Sequence, residues 1–402
     1  MKVLVADKLE KIALDGLTRL GCEVISNPDL QGDALAEAIK STGADVLVVR
    51  STKVDAQAIS AGRLSLIIRA GAGYNTIDVE AASERGVYVS NCPGKNSIAV
   101  AELAFGLMLA VDRSIPDNVA ELRAGHWDKK RFSKARGLYG STLGLMGMGN
   151  IAQEMIPRAR AFGMGIIAYS RWMQPESAAA LGIARAETPE DLARQADIVS
   201  VHVSLRPETK GICNADFFRA MRPGSTFINT SRAEVVDQSA LIEAVNSGHI
   251  RAGLDVFEGE LAGAEGAYDG ELRNVAGIYT THHIGASTEQ AQNAVAEEVV
   301  RIVAEYKTLG TVPNVVNITK GSAVSHLLVV RHQDKVGVLA HILGQLKEEG
   351  INVQEMENII LGMAKSAIAQ IALDKGVSEN TLNAIRTHPS VFDASVLEVS
   401  KA

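Results

Sequence analysis

Three segments of this sequence, NTSRAEVVD, LDVFEGE and THHIGAST, each carry a residue able to do chemistry on a small acid: Arg232, Glu260 and His283. They stand 28 and 23 residues apart, about one strand–helix repeat each, and each follows an apolar run of strand type. Residues at the carboxyl ends of strands in an open parallel sheet face a shared crevice, so the spacing brings the three to one cleft. A guanidinium holds a carboxylate, an imidazole moves a proton near neutral pH, and a carboxylate beside the imidazole tunes its basicity. These are the needs of 2-hydroxy acid oxidation. Spacing alone keeps a plainer alternative open, because most Arg, Glu and His side chains are solvated or structural.

Such chemistry needs a hydride acceptor, and LGLMGMGNIAQ offers a place for one. Gly147, Gly149 and Ala152 have G-x-G-x-x-A spacing directly after an apolar strand and before a helix, with Met148, Asn150 and Ile151 between them. The first glycine permits a tight turn, the second lets a pyrophosphate approach the backbone, and the alanine keeps helix and strand close. The full strand–turn–helix context reads as a dinucleotide site. The acid expected at the end of the next strand is absent: GIIAYSRWM places Ser170 and Arg171 there. A carboxylate would repel a 2′-phosphate, whereas a hydroxyl and a guanidinium can donate to it, so this loop leaves the choice open, with NAD the expected cofactor of the site and NADP an alternative. Arg171 as a solvated surface residue is the alternative.

The elements that must position these residues come in three series. VLVA (3–6), VLVV (46–49), LIIR (66–69) and VYVS (87–90) read as buried parallel strands separated by amphipathic helices, without a glycine-rich fingerprint. A second series begins near residue 142 with TLGLMG, GIIAYS, DIVSVHV and STFINTS, followed by AGLDVF and IYTTHH. Helical patterns at 97–111 and 287–307 flank it, so the chain is expected to leave the first domain and return. The expected organisation is a discontinuous substrate-binding domain (1–97 and 287–317), a dinucleotide-binding Rossmann domain (98–286), a Pro/Gly/Ser-containing linker (318–324) and a last domain (325–402). That last segment reads strand–helix–strand–strand–helix–strand, the ferredoxin-like order. The fold class is α/β: two doubly wound parallel-sheet domains, the first flavodoxin-like, plus the small βαββαβ domain.

Composition narrows the partners. Of 402 residues 47% are hydrophobic and 22% charged, ordinary for a globular chain and far from disorder. A net charge of −7 disfavours nucleic acid and anionic membrane as partners, while a local Arg/Lys cluster can still take a small anion. Cys22, Cys92 and Cys213 are few, odd in number and far apart, which argues against disulfides or a thiolate metal site; no metal is expected. Cys92 reads as a packed residue, with no His nearby to activate it. With no apolar leader at MKVLVADKLE and no long apolar span, a cytoplasmic location is expected.

The fingerprint, VHVSLRPETKG, and the Arg, Glu and His segments together resemble the D-isomer-specific 2-hydroxyacid dehydrogenases, over roughly residues 46–317. With the C-terminal segment, the whole is most similar to the phosphoglycerate dehydrogenase branch carrying an ACT-type regulatory domain. The resemblance implies oxidation of 3-phospho-D-glycerate to 3-phosphohydroxypyruvate, the first step of serine biosynthesis. It makes Arg232 the substrate arginine, His283 the acid/base and Glu260 its carboxylate partner; His282 stands where the family has Pro. It also implies cofactor contacts from His202, Val203, Thr209, Thr230, Ser231, Arg232, Asp255, His283 and Gly285, with Asp255 facing the nicotinamide carboxamide. Substrate contacts are implied from Arg50, Ser51, Ala72, Gly73 and Asn96, in addition to Arg232 and His283. Arg50 with Ser51 suits a phosphate, with Lys53 nearby; a salt bridge of Arg50 to a neighbouring acid is the alternative. The run Lys129, Lys130, Arg131 lies where relatives approach a partner's active site, though such a run is more often a solvated face. In the last domain His332, Asp334 and Asn352 would face an amino-acid effector, with Val336 replacing the usual Pro. A homodimer or homotetramer is expected. The competing readings are an NADPH-dependent glyoxylate or hydroxypyruvate reductase of the same family, and a dinucleotide-sensing protein without catalysis.

Overall fold

A computed structural model of the chain describes residues 1–261, 265–318 and 324–399. Of the linker expected at 318–324, residues 319–323 lie outside the described residues. The chain divides into two compact units, Met1–Asn317 and Ile318–Ala402.

The larger unit holds two parallel sheets. Strands β1 (Lys2–Val5), β2 (Glu23–Ser26), β3 (Val46–Val49), β4 (Leu66–Arg69) and β5 (Tyr88–Asn91) form the first, in the order β2-β1-β3-β4-β5. This is the flavodoxin-like order, with its switch point between β1 and β3. All four residues of VLVV in β3 are buried because helices cover both faces, the reason its apolar run is continuous rather than alternating. Leu4, Leu47 and Ile67 pack on one side, and Val3, Val5, Val46 and Ile68 on the other.

The second sheet comprises β6 (Thr142–Met146), β7 (Gly165–Tyr169), β8 (Ala184–Arg185), β9 (Ile198–Val201), β10 (Ser225–Asn229), β11 (Ile250–Leu254) and β12 (Ile278–Thr280). Its order is β12-β11-β10-β9-β6-β7-β8, so the direction of winding reverses between β6 and β9, where a crevice opens at the strand ends. The short strands β2 and β8 escape a sequence reading because they are half-exposed edges with no continuous apolar run.

Two helices join the sheets. Ser97–Arg113 follows β5 and packs Leu107, Met108 and Val111 beneath the second sheet. Glu289–Leu309 starts with the Thr288 hydroxyl accepting the Ala291 N–H and ends at Gly310, which adopts the left-handed conformation. Its Val299, Ile302 and Val303 pack with Val3, Val5 and Val46, so after the second sheet the chain returns to the first.

The smaller unit is an antiparallel sheet of β13 (His326–Gln333), β14 (Val353–Ile360), β15 (Ser366–Leu373) and β16 (Val391–Glu398) in the order β14-β15-β13-β16. In β15, Ala367, Ala369, Ile371 and Leu373 are buried and alternate with half-exposed residues. That period of two marks a sheet covered on one face, here by the helices Val338–Glu348 and Glu379–Arg386.

Candidate active site

The glycine turn after β6 sits at the switch point. Gly147 has φ 99°, and a side chain there would lie 2.7 Å from the carbonyl oxygen of His202 at the end of β9, so only glycine fits. Gly149 caps the helix Asn150–Ala161, and a side chain on it would meet no protein atom. Space is therefore open in front of a helix N-terminus, whose free N–H groups suit an anion. Ala152 is fully buried beneath the sheet. A cavity of about 510 Å³ runs from this turn, lined by Met148, Tyr169, Ser170, Arg171, His202, Val203 and Thr209 among others. Burial pulls the His202 ring down to about 3, so it is neutral, and Ser200 Oγ lies 2.9 Å from its Nε2. The Thr209 hydroxyl closes its own loop, accepting from Arg206 N–H at 2.8 Å and donating to the Ser204 carbonyl at 2.7 Å.

On the other side of the switch point, after β10, β11 and β12, stand the Arg, Glu and His residues. His283 Nδ1 lies 2.7 Å from Glu260 Oε2, and Glu260 Oε1 accepts the Phe257 N–H at 3.0 Å. Among the described residues no hydrogen bond holds the His282 ring; the carboxylate is aimed at His283. The hydrogen bond that His283 donates to Glu260, and then the charges of Glu260 and Asp255, raise the pKa of His283 against burial and the Arg232 charge. Burial pushes Glu260 up, but the bonds to His283 and Phe257 and the nearby positive charges outweigh it and lower its pKa. The Nδ1 bond leaves His283 Nε2 free to exchange a proton with a substrate.

His283 is held in a costly backbone conformation, φ 54°, in the left-handed region that non-glycine residues avoid. Asp255, 1% exposed, holds that loop: one oxygen accepts from the Thr281 hydroxyl (2.6 Å) and Ile284 N–H (2.9 Å), and the other from Gly285 N–H (2.8 Å). Its visible work is to shape the loop that presents His283. Asn229 plays the same part after β10, bonding Ser231 and the Arg232 carbonyl. Thr230 Oγ1 is buried there without a partner.

The two lobes meet at Arg232. Its guanidinium lies against bare backbone at Gly73, where a side chain would come within 2.0 Å of Nη2. Ala72, beside it, accepts the Asn91 amide at 2.5 Å, and Asn96 stands at the start of the helix Ser97–Arg113. A third arginine joins, one the sequence reading passed over as the last residue of a strand. Arg69 crowds Gly71, its Nε is buried without a partner, and burial and then the charges of Arg232 and Arg50 pull its pKa down to about 10. Three guanidinium groups, two of whose charges depress Arg69, make a seat for an anion. The signal for Arg69 in the sequence was the glycine two positions on. Burial pushes the neighbouring Cys92 thiol up to about 12, which leaves it unreactive.

Ser51 is held by Asp7. Its hydroxyl donates to Asp7 Oδ1 at 2.8 Å, while Asp7 Oδ2 accepts the N–H groups of Arg50, Ser51 and Thr52. The only hydroxyl hydrogen of Ser51 is thus turned to a carboxylate and away from an incoming anion. Arg131 pairs with Glu121 at 2.7 Å, and Lys129 and Lys130 are exposed. In the smaller unit, His332 is 1% exposed with both ring nitrogens bonded, to the Gln333 carbonyl and to Asn358. Asp334 lines a shallow cavity with Lys335, Lys365 and Ser366. Asn352 precedes Val353, which pairs with Leu373, whereas Gln333 pairs with Ser366. Within one chain, then, Asp334 and Asn352 stand at opposite ends of β15.

Comparison with known proteins agrees with this arrangement. Residues 105–285 match the model of the D-isomer specific 2-hydroxyacid dehydrogenase NAD binding domain. The chain is 39% identical to a D-3-phosphoglycerate dehydrogenase of Methanocaldococcus jannaschii over 89% of its own length and 67% of that protein's. It is 42% identical to a hydroxypyruvate reductase of Thermotoga maritima, over 77% of this chain and 98% of that one. The chain thus spans about two thirds of the phosphoglycerate dehydrogenases it matches. Among solved structures, the NAD+-bound 3-phosphoglycerate dehydrogenase of Entamoeba histolytica superposes with a TM-score of 0.66 at 27% identity, over 80% of this chain and 99% of that one. A glycine turn at the switch point, a His–Glu pair across from an arginine, and these matches over most of the chain have one explanation: this chain belongs to the D-isomer-specific 2-hydroxyacid dehydrogenases.

Proposed function

We propose that the chain interconverts 3-phospho-D-glycerate and 3-phosphohydroxypyruvate. The observation that carries the choice of substrate is the cluster of Arg50, Arg69 and Arg232 across the cleft from His283. One guanidinium suffices for a monocarboxylate, whereas three suit an acid that also carries a phosphate dianion. The cavity at the glycine turn fits a dinucleotide: it opens before a helix N-terminus, and Gly147 leaves its backbone clear of side chains. When bound, a nicotinamide dinucleotide supplies the hydride acceptor. Gly147, Gly149 and the N–H groups starting the helix Asn150–Ala161 would hold its pyrophosphate, with Ser170 and Arg171 near its adenosine. In the oxidative direction Arg232 binds the carboxylate and draws charge onto the forming carbonyl oxygen. His283 Nε2 takes the hydroxyl proton, and Glu260 stabilises the resulting imidazolium.

A hydroxypyruvate or glyoxylate reductase using NADPH is the second reading, favoured by Ser170–Arg171 and by the similarity to a hydroxypyruvate reductase. An intact His283–Glu260 pair argues against a sensor without catalysis. Initial rates with phosphohydroxypyruvate, hydroxypyruvate and glyoxylate, each with NADH and NADPH, separate the readings. A kcat/KM at least tenfold higher for the phosphorylated acid is expected, and equal or higher values for glyoxylate would refute the assignment. We further infer that residues 325–402 form an ACT-like domain that joins copies of the chain and offers a place for an amino-acid effector. The support is the βαββαβ order and the polar cavity at Asp334.

A further inference from the structure

Arg171 is not alone at the adenosine end of the cavity. Its Nη1 lies 3.6 Å from Glu208 Oε1, and its guanidinium stacks 4.7 Å over the exposed Trp172 ring. Glu208 and Arg206 line the same cavity as Ser170 and Arg171. The order of the sheet explains how an acid arrives there. Strands β7 and β9 flank β6 on either side, so the loops after them stand on either side of the glycine turn. A carboxylate missing from the end of β7 can therefore be delivered from the loop after β9. That loop is fixed in place, since the Thr209 hydroxyl bonds Arg206 N–H and the Ser204 carbonyl, and the Lys210 N–H donates to the Arg206 carbonyl at 3.0 Å.

We propose that Glu208 sets cofactor specificity: it supplies from a second loop the carboxylate absent after β7, occupies Arg171, and disfavours a 2′-phosphate on the adenosine ribose. The pair gives each cofactor a different welcome. A free 2′-hydroxyl donates to a carboxylate, and loses nothing by the neutralisation of Arg171. A 2′-phosphate reaches Arg171 only by displacing Glu208, and then sits as a dianion beside a displaced carboxylate. Glu208 is anionic at neutral pH: its own backbone N–H and the charges of Arg171 and Arg206 hold it below the usual carboxylate range against a slight opposing burial. Ser170–Arg171 alone reads as an NADP site; with Glu208 opposite, the same loop reads as an NAD site. The residue acts on discrimination and takes no part in proton or hydride transfer.

The inference rests on the reading of the cavity as a dinucleotide site, and two redox-inert probes keep the two claims apart. ADP-ribose and 2′-phospho-ADP-ribose are titrated calorimetrically into the full chain at fixed ionic strength, for wild type, Glu208→Gln, Arg171→Ala and the double variant. Wild type is expected to bind ADP-ribose more tightly. Glu208→Gln is expected to tighten the phosphorylated probe at least fivefold while ADP-ribose changes less than twofold. With Arg171 already replaced, the same change should give a clearly smaller gain, because only the repulsion between carboxylate and phosphate is then relieved and no guanidinium is freed. Wild-type binding of ADP-ribose with an unmoved ratio in Glu208→Gln overturns the role of Glu208 and leaves the dinucleotide reading standing. A full gain that persists in the Arg171→Ala background overturns the pairing. Binding of neither probe to wild type overturns the cavity's assignment and the inference with it.

Discussion

At the scale of residues, the site works through pairs that alter one another. Glu260 raises the pKa of His283, so at neutral pH more of the imidazole is in the protonated form that the reductive direction needs at its start. Replacing Glu260 by Gln removes the charge and leaves only a neutral acceptor for Nδ1–H, lowers the histidine pKa, and shifts the reductive kcat/KM profile to lower pH; an unmoved profile would show that Glu260 does not tune the base. Replacing His283 by Asn removes proton transfer itself and should lower turnover by about 10²–10⁴-fold with dinucleotide binding intact, measured by stopped turnover beside a binding titration. His282→Asn should leave the rate within a few-fold. Arg69 is the residue that tests the anion seat. Arg69→Met should raise KM for the phosphorylated acid at least tenfold, about 1.4 kcal/mol, and change glyoxylate kinetics little. Equal losses on both substrates would make Arg69 a structural residue.

At the scale of elements, strand ends deliver the chemistry and buried acids hold the loops in shape. Glu298, on the helix Glu289–Leu309, shows this away from the site. Its carboxylate is buried and meets Arg301 at 2.6 Å, Asn314 at 2.7 Å and Lys95 at 3.1 Å, the last from the segment that crosses between the sheets. The Arg301 bond above all, opposed by burial and helped by Lys95 and Asn314, holds its pKa down to about 2. Because the folded value is depressed, the stabilisation is full above the ordinary carboxylate value of 4.5 and fades as pH falls toward 2. Glu298→Gln should therefore cost about 2 kcal/mol in urea unfolding at pH 7, and the gap to wild type should close between about pH 4.5 and 2. A gap independent of pH would mean that the loss is one of packing, with charge irrelevant.

At the scale of the whole molecule, the expectation concerns residues 325–402. Shortening the chain to residues 1–317 should lower the oligomeric state measured by light scattering, and an unchanged mass would remove assembly from the domain's duties. L-serine at micromolar concentration should leave the dehydrogenase rate unaltered. His332 is buried and bonded through both nitrogens, and Asn352 stands at the far end of the sheet from Asp334, so one chain does not gather the three groups. Strong inhibition at that concentration would show that they meet across two chains.

What the sequence by itself determined was whatever depends on local pattern and on spacing by whole strand–helix repeats. Continuous apolar runs mark doubly covered strands, period two marks the one-sided sheet of the smaller unit, and the glycine turn after β6 places a dinucleotide cavity. The rule that parallel strands present their carboxyl ends to one crevice made Arg232, Glu260 and His283 candidates, and the resemblance to the 2-hydroxyacid dehydrogenases gave them their expected roles. Tertiary structure alone decided which side chains face one another across that crevice, since pairing depends on loops whose course no periodicity records. It turned Ser51 toward Asp7, brought Arg69 from the end of a strand to the charges of Arg50 and Arg232, and set Glu208 against Arg171. Each is a contact between residues far apart in the chain or on separate loops: Asp7 gathers the backbone N–H groups of residues 50–52, Gly71 and Gly73 leave room for Arg69 and Arg232, and the Thr209 hydroxyl holds the loop of Glu208.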